Sequence, residues 1–111
     1  MATRSPSQAK YQLVLQFPAE AEDDFDAIVA IEDKLTEGLD DGSDVEGHEF
    51  GTGTANVFIE TTDPEATFEA VLALLAKQKR PKLAVAASRA AEGGDYTVLW
   101  PSDYDQDFDT Q

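Results

Sequence analysis

His48 and the acids around it are the first residues in this sequence that could do chemistry. Asp44, Glu46, His48 and Glu49 together offer the oxygen and nitrogen donors that a divalent cation takes. Alternate residues share a face only on a regular strand, and Gly47 interrupts this one, so the spacing does not build a metal site. The same histidine is the only base that a Ser-His-Asp arrangement could use, and no Gly-x-Ser-x-Gly elbow presents a serine to it. Asp103, Asp105, Asp107 and Asp109 alternate like the opening of a calcium loop, but the glycine at its sixth position and the glutamate at its twelfth are lacking. Gly51-x-Gly53 leads into a strand rather than a helix, so it cradles no phosphate. Cysteine is absent, which excludes thiol catalysis, thiolate metal sites and disulfides. With so many acids, no pair stands out for acid–base work. No catalytic, cofactor-binding or metal-binding residue is assigned, and the chain is expected not to be an enzyme.

Charge is the more informative feature. Of 111 residues, 23 are acidic and 8 basic, a net of −15. Residues 20–69 carry 17 acids against Lys34, a net of −16, whereas residues 70–92 carry five cations against Glu92. Such a field repels nucleic-acid phosphate and anionic membrane and attracts basic partners. The competing explanation is that the acidity serves solubility. The N-terminal MATRSPSQAK has no apolar core of a secretory signal, and no apolar run approaches the roughly 20 residues that span a bilayer. A cytoplasmic protein is expected.

These residues must be positioned by a small number of elements. Residues 1–9 read as a flexible arm, 10–101 as one α+β domain and 102–111 as a flexible acidic tail. Tyr11, Leu13, Leu15 and Phe17 alternate with Gln12, Val14 and Gln16 in a half-buried strand ending at Pro18. Residues 20–39 predict a helix with acids in its first turns and an apolar face of Phe25, Ile28, Val29, Leu35 and Leu39, broken by Glu32. Residues 44–50 predict a second strand, placed at an edge or bulged because of Gly47. Gly51-Thr52-Gly53 turns the chain into a third strand, where Ala55, Val57 and Ile59 alternate with Asn56, Phe58 and Glu60. Asp63 and Pro64 supply the N-cap and first position of a second helix reaching about Gln78, with Phe68, Val71, Leu72 and Leu75 as its apolar stripe. Lys82–Arg89 predicts a fourth strand, and Gly93-Gly94 turns into a fifth at Tyr96–Trp100.

Strand–helix–strand–strand–helix–strand plus a hairpin strand is the ferredoxin-like βαββαβ pattern with an extra C-terminal strand. It predicts an antiparallel sheet in the order 2-3-1-4-5 with both helices on one face. Tyr11, Leu13, Leu15, Phe17, Val57, Ile59, Leu83 and Val85 are expected to face the helices; Gln12, Val14, Gln16, Asn56, Phe58, Ala84, Ala86 and Ser88 are expected on the open face. The expected core is Leu13, Leu15, Ile28, Val57, Ile59, Phe68, Leu72 and Leu75. Enzymes and carriers of this fold use groups missing here: the first strand–helix loop, PAEAEDD, lacks the arginine of acylphosphatases, and the CxxC of copper carriers is absent. The RNA-binding versions interleave aromatics with basic residues on the open sheet, where Phe58 stands among acids.

The segment GTGTANVFIETTDPEATFEAVLALL and the later YTVLWP resemble a group of small, functionally uncharacterised bacterial proteins. Their shared pattern is G-x-G-x-x-N-x-F-I-x-T-x-x-P followed by Y-T-x-x-W-P, matched over roughly residues 45–101. The resemblance implies a compact α+β domain and no particular activity. It makes Gly51, Gly53, Asn56, Phe58, Tyr96 and Trp100 positions of interest, each with a structural role as turn glycine, strand tie or hairpin aromatic in view beside a functional one.

Two functions follow. One is a protein-interaction module, such as an immunity or antitoxin-like inhibitor, that meets a basic protein partner with Asp23, Asp24, Asp26, Asp40, Asp41 and Asp44. The other is a small-molecule or effector-binding domain using Asn56, Phe58 and Trp100 on the open face, a face that could equally pair two copies of the chain.

Overall fold

The structure, a computed structural model, describes residues 10–20, 22–39, 43–51, 53–76, 83–101 and 108. The chain runs β1 (Tyr11–Pro18), α1 (Glu22–Gly38), β2 (Ser43–Phe50), β3 (Thr54–Thr61), α2 (Pro64–Leu74), β4 (Val85–Ala90) and β5 (Thr97–Trp100). The expected arm at 1–9, the acids Asp40 and Asp41, the basic stretch 77–82 and the tail apart from Phe108 lie outside the described residues. The five strands form one antiparallel sheet in the order β2-β3-β1-β4-β5. Among the described residues no helix is long and apolar enough to cross a membrane.

Strand β1 is central because its residues tolerate burial on both sides. Leu13, Val14 and Leu15 are fully buried. Leu15 is the register partner of Val57 on β3 and of Ala86 on β4, and Leu13 of Ile59 and Ser88. These residues meet Ile28, Ile31 and Leu35 of α1 and Phe68 and Val71 of α2 in one core, which places both helices on one face of the sheet. Helix α2 begins as its sequence dictates: the Asp63 carboxylate accepts from the Ala66 amide at 3.1 Å, and Pro64 follows at the first position.

Expectations about the core, the face of α1, the phase of β4 and the end of α2 are corrected. Leu72 is 45% exposed, and Leu75 is only partly buried. Thr67, Phe68 and Val71 define the inward stripe of α2, and Leu72 lies about 100° from Val71, on the flank. Phe25 and Val29 belong to the exposed side of α1, and Ile31, unremarked in the pattern, takes their place in the core. Strand β4 has the opposite phase to the one expected: Ala86 is in the core with the helices and Ser88 stands opposite Leu13, whereas Val85 pairs with Gln16 on the open face. Helix α2 ends at Leu74, short of Gln78.

The β2 strand is both an edge strand and bulged. Its register against β3 shifts between Val45 and Gly47, and Gly47 has φ +143°, where a side chain is strained. Gly53, at φ +75°, takes the left-handed position of the following turn, which the Gly51 amide closes on the Thr54 carbonyl at 2.8 Å.

Candidate interaction surfaces

Register and helical phase place a cluster of exposed rings where α1 crosses the edge strand. Phe25, Val29 and Glu32 fall on one stripe of α1, four and three residues apart. Phe50, at the end of β2, is the partner of Ala55 and therefore points to the helix side of the sheet. Its ring lies 4.7 Å from that of Phe25, tilted by 58°, and 5.1 Å from the His48 ring in an edge contact. Phe25, Val29 and Phe50 remain 38%, 42% and 44% exposed, so the rings touch without being covered. The His48 Nδ1 and Glu32 Oε1 are hydrogen-bonded at 3.0 Å, which fixes the histidine ring beside Phe50. The histidine is thus half-buried and paired. Glu22, Asp26 and Asp33, all exposed, are the three- and four-residue neighbours of Phe25 and Val29 on the helix and form an acidic rim. Sequence reasoning put Phe25 and Val29 on the apolar face of the first helix; the exposed ring of Phe50 one strand away is the signal that only the tertiary structure adds.

Of the six acids assigned to a partner, the four described ones do not form one patch. Asp23 and Asp26 are exposed on α1. Asp24 is half-buried and accepts the Glu20 amide at 3.1 Å, so it fastens the chain at the start of its helix. Asp44 is exposed, but it is the register partner of Glu60 and stands on the opposite face of the sheet from α1. Asp40 and Asp41 are outside the described residues. The acids near His48 are also separated: His48 pairs with Val57 on the helix side, Glu49 with Asn56 on the open side, and Glu46 sits at the bulge. Among the described residues no three acidic or histidine side chains gather as cation ligands.

The open face carries a shallow groove of about 410 Å³ lined by Gln12, Glu46, Gly47, His48, Glu49, Phe58, Arg89 and Tyr96. Of the three residues expected there, only Phe58 contributes. Asn56 is fully buried, and its Oδ1 accepts from Gln16 Nε2 at 3.0 Å, tying β3 to β1. Trp100 is 39% exposed at the end of edge strand β5, three strands from Phe58 in the sheet. Tyr96 takes the place that the sequence suggested for Trp100: its hydroxyl donates to Gln12 Oε1 at 3.2 Å, and the Arg89 guanidinium lies 4.7 Å from its ring centroid. Arg89 could have been found from the register, since it is the partner of Gln12, which the alternation already put on this face.

A second cavity, of about 260 Å³, lies between the end of α1 and the start of α2. Its floor is a chain of hydroxyls, with Thr67 Oγ1 2.6 Å from Thr61 Oγ1 and 3.0 Å from Ser43 Oγ. Thr61 Oγ1 also accepts the Asp63 amide at 3.1 Å. These hydroxyls satisfy one another and join β2, β3 and α2; the arrangement ties elements together and presents no nucleophile with an adjacent base.

No protein-family model matches the chain, and no curated protein matches it.

Proposed function

We propose that this chain is a non-enzymatic interaction module that meets a basic protein partner on the α1–β2 face, in the manner of an immunity or antitoxin-like inhibitor. The observation that carries the reading is the Phe25–Phe50 pair, two rings in contact at 4.7 Å and both more than one-third exposed, set inside a rim of acids. Contiguous exposed apolar groups with a polar border are what binding surfaces present, and aromatic anchors at the centre of a patch supply most of the affinity. The acids around them act on a different quantity. Exposed charges are screened over about 8 Å at physiological salt, so a distributed negative field accelerates encounter more than it holds the complex. Asp23 and Asp26 serve this role from α1, and Asp44 adds to the field from the other face. The proposal extends to the ferredoxin-like description of the fold, to the likeness with the small bacterial group and to a cytoplasmic setting.

The small-molecule reading has the open-face groove in its favour. That groove is bordered by Gln12, Glu46, His48, Glu49 and Arg89 beside the rings of Phe58 and Tyr96, whereas ligand pockets are enclosed and mostly apolar. The α1–β2 face is the better supported site.

The test is capture of a binding protein from native cell extract on the immobilised chain, followed by kinetics with the captured protein. Phe25→Ser with Phe50→Ser should speed dissociation by at least about tenfold, since hot-spot aromatics each contribute about 2 kcal/mol or more. Asp23→Asn with Asp26→Asn and Asp44→Asn should slow association and leave dissociation nearly unchanged. A captured protein that is acidic, or one whose dissociation is indifferent to the paired Phe substitutions, refutes the assignment of this face.

A further inference from the structure

We propose that the Tyr96 end of the open-face groove is a docking site for an aromatic residue flanked by acids, and that the chain's own Phe108 docks there, against Tyr96. This does not rest on the α1–β2 reading: the two surfaces meet at His48 on edge strand β2, but Tyr96 and Arg89 stand at the far end of the groove from Phe25 and Phe50. Phe108 is half-buried, and its ring meets Tyr96 at a centroid distance of 4.9 Å and an angle of 70°, the edge-to-face geometry that aromatic pairs favour. Tyr96 is itself held in place, by Gln12 through its hydroxyl and by Arg89 over its ring, so the surface that receives Phe108 is prearranged.

The state of the sheet beneath agrees with this. Val14 and Ala87 are fully buried and Val85 is 5% exposed, all three on the side away from the helix-facing core residues. Phe58 is the register partner of Val14 on that face, and no helix packs there among the described residues. An aromatic group seated at Tyr96 extends the cover at the β4–β5 end.

Charge sets the chemistry of the occupant. Phe108 stands between Asp107 and Asp109 in the sequence. Arg89 is the one cationic side chain lining the groove among the described residues. The groove's opposite rim, Glu46 and Glu49, repels acids, so an acidic aromatic segment is directed to the Arg89–Tyr96 end, where Phe108 is found. The Tyr96 end of the groove therefore takes an aromatic side chain by ring contact, and the charge of Arg89 favours a segment rich in acids. Any outside segment of the same chemistry must first displace Phe108.

The experiment uses the full chain and its Phe108→Ala variant, observed by NMR, with the synthetic peptide SDYDQDFDTQ as the probe. In Phe108→Ala the Tyr96 ring and the Gln12 and Arg89 side-chain signals should shift. Added peptide should return them toward their original positions, and the same peptide with Ala in place of Phe should not. The peptide should bind the unsubstituted chain at least about fivefold more weakly than the variant, within the range that one aromatic pair contributes. Arg89→Gln in the variant should lower the peptide's affinity and flatten its salt dependence. Unmoved Tyr96 signals in Phe108→Ala, or equal peptide binding to both chains, overturns the proposal. Tyr96 signals that depend on protein concentration would assign the ring to a second copy and overturn the intramolecular docking.

Discussion

Leu15 and Leu72 are the same residue type in opposite circumstances, and they separate burial from pattern. Leu15 is fully buried between Val57 and Ala86, so Leu15→Ala should cost about 2–5 kcal/mol, transfer and cavity together. Leu72 keeps 45% of its surface in water, and Leu72→Ala should cost less than about 1 kcal/mol, because little apolar area is withdrawn from solvent there. Paired urea melts decide the matter, and equal losses would mean that the core is drawn wrongly. A second residue-scale prediction concerns Thr67, whose hydroxyl meets both Thr61 and Ser43. Thr67→Val keeps the shape and removes the link, leaving Ser43 to find water and Thr61 one partner fewer. The expected loss is about 1–2 kcal/mol, and a neutral result in the same melts would show that solvent already serves these hydroxyls.

Strands and helices whose large apolar residues recur at a fixed spacing were legible in the sequence, and a strand of uniformly small residues was not. Strand β3 reads correctly because Val57 and Ile59 face the core while Phe58 and Glu60 stand partly in water, which writes a period of two into the chain. The β4 stretch, AVAASR, has small residues on both sides, and Val85, Ala86, Ala87 and Ser88 are all buried, so no alternation records its phase. Helix α1 misled in another way: Phe25 and Val29 are as apolar as a core residue but serve a surface, and their type alone cannot say so. The Phe25–Phe50 contact joins residues far apart in sequence and depends on the β2 register, which no local pattern carries. Tyr96 and Arg89 were missed as a pair for the same reason. Gly47 could be read because a glycine inside a strand marks a bulge. Gly47→Ala has room for its new methyl, the nearest outside atom being Glu32 Oε2 at 3.9 Å, so any loss comes from the φ of +143°. A cost above about 1 kcal/mol is expected, together with faster amide exchange confined to β2. Uniformly unchanged exchange would show that β2 relaxes without the bulge.

At the scale of the molecule, a net charge of −15 on 111 residues opposes compaction by self-repulsion. Lys10 meets Glu60 at 3.5 Å and His48 meets Glu32, but 8 cations cannot offset the repulsion of 23 acids. Raising sodium chloride from about 0.05 M to 0.5 M, which shortens the screening length from roughly 14 Å to 4 Å, should therefore raise Tm. Asp23→Asn with Asp26→Asn should raise it at low salt and leave it unchanged at high salt. A Tm that falls with salt in the unsubstituted chain would show that attractive pairs dominate the field. The bulge in β2 has a consequence for the same chain in crowded solution. A sheet edge is a template on which another molecule can lay a strand, and fibres grow by repeating that step. Here the template is defective in two ways: the shift at Gly47 breaks the row of amides and carbonyls, and Asp44, Glu46 and Glu49 would each confront acids of an incoming copy. Seeded polymerisation of this protein should stall at its first addition, and a variant with Gly47→Val, Asp44→Thr, Glu46→Thr and Glu49→Thr should nucleate thioflavin-positive fibres at concentrations where the original chain stays dispersed.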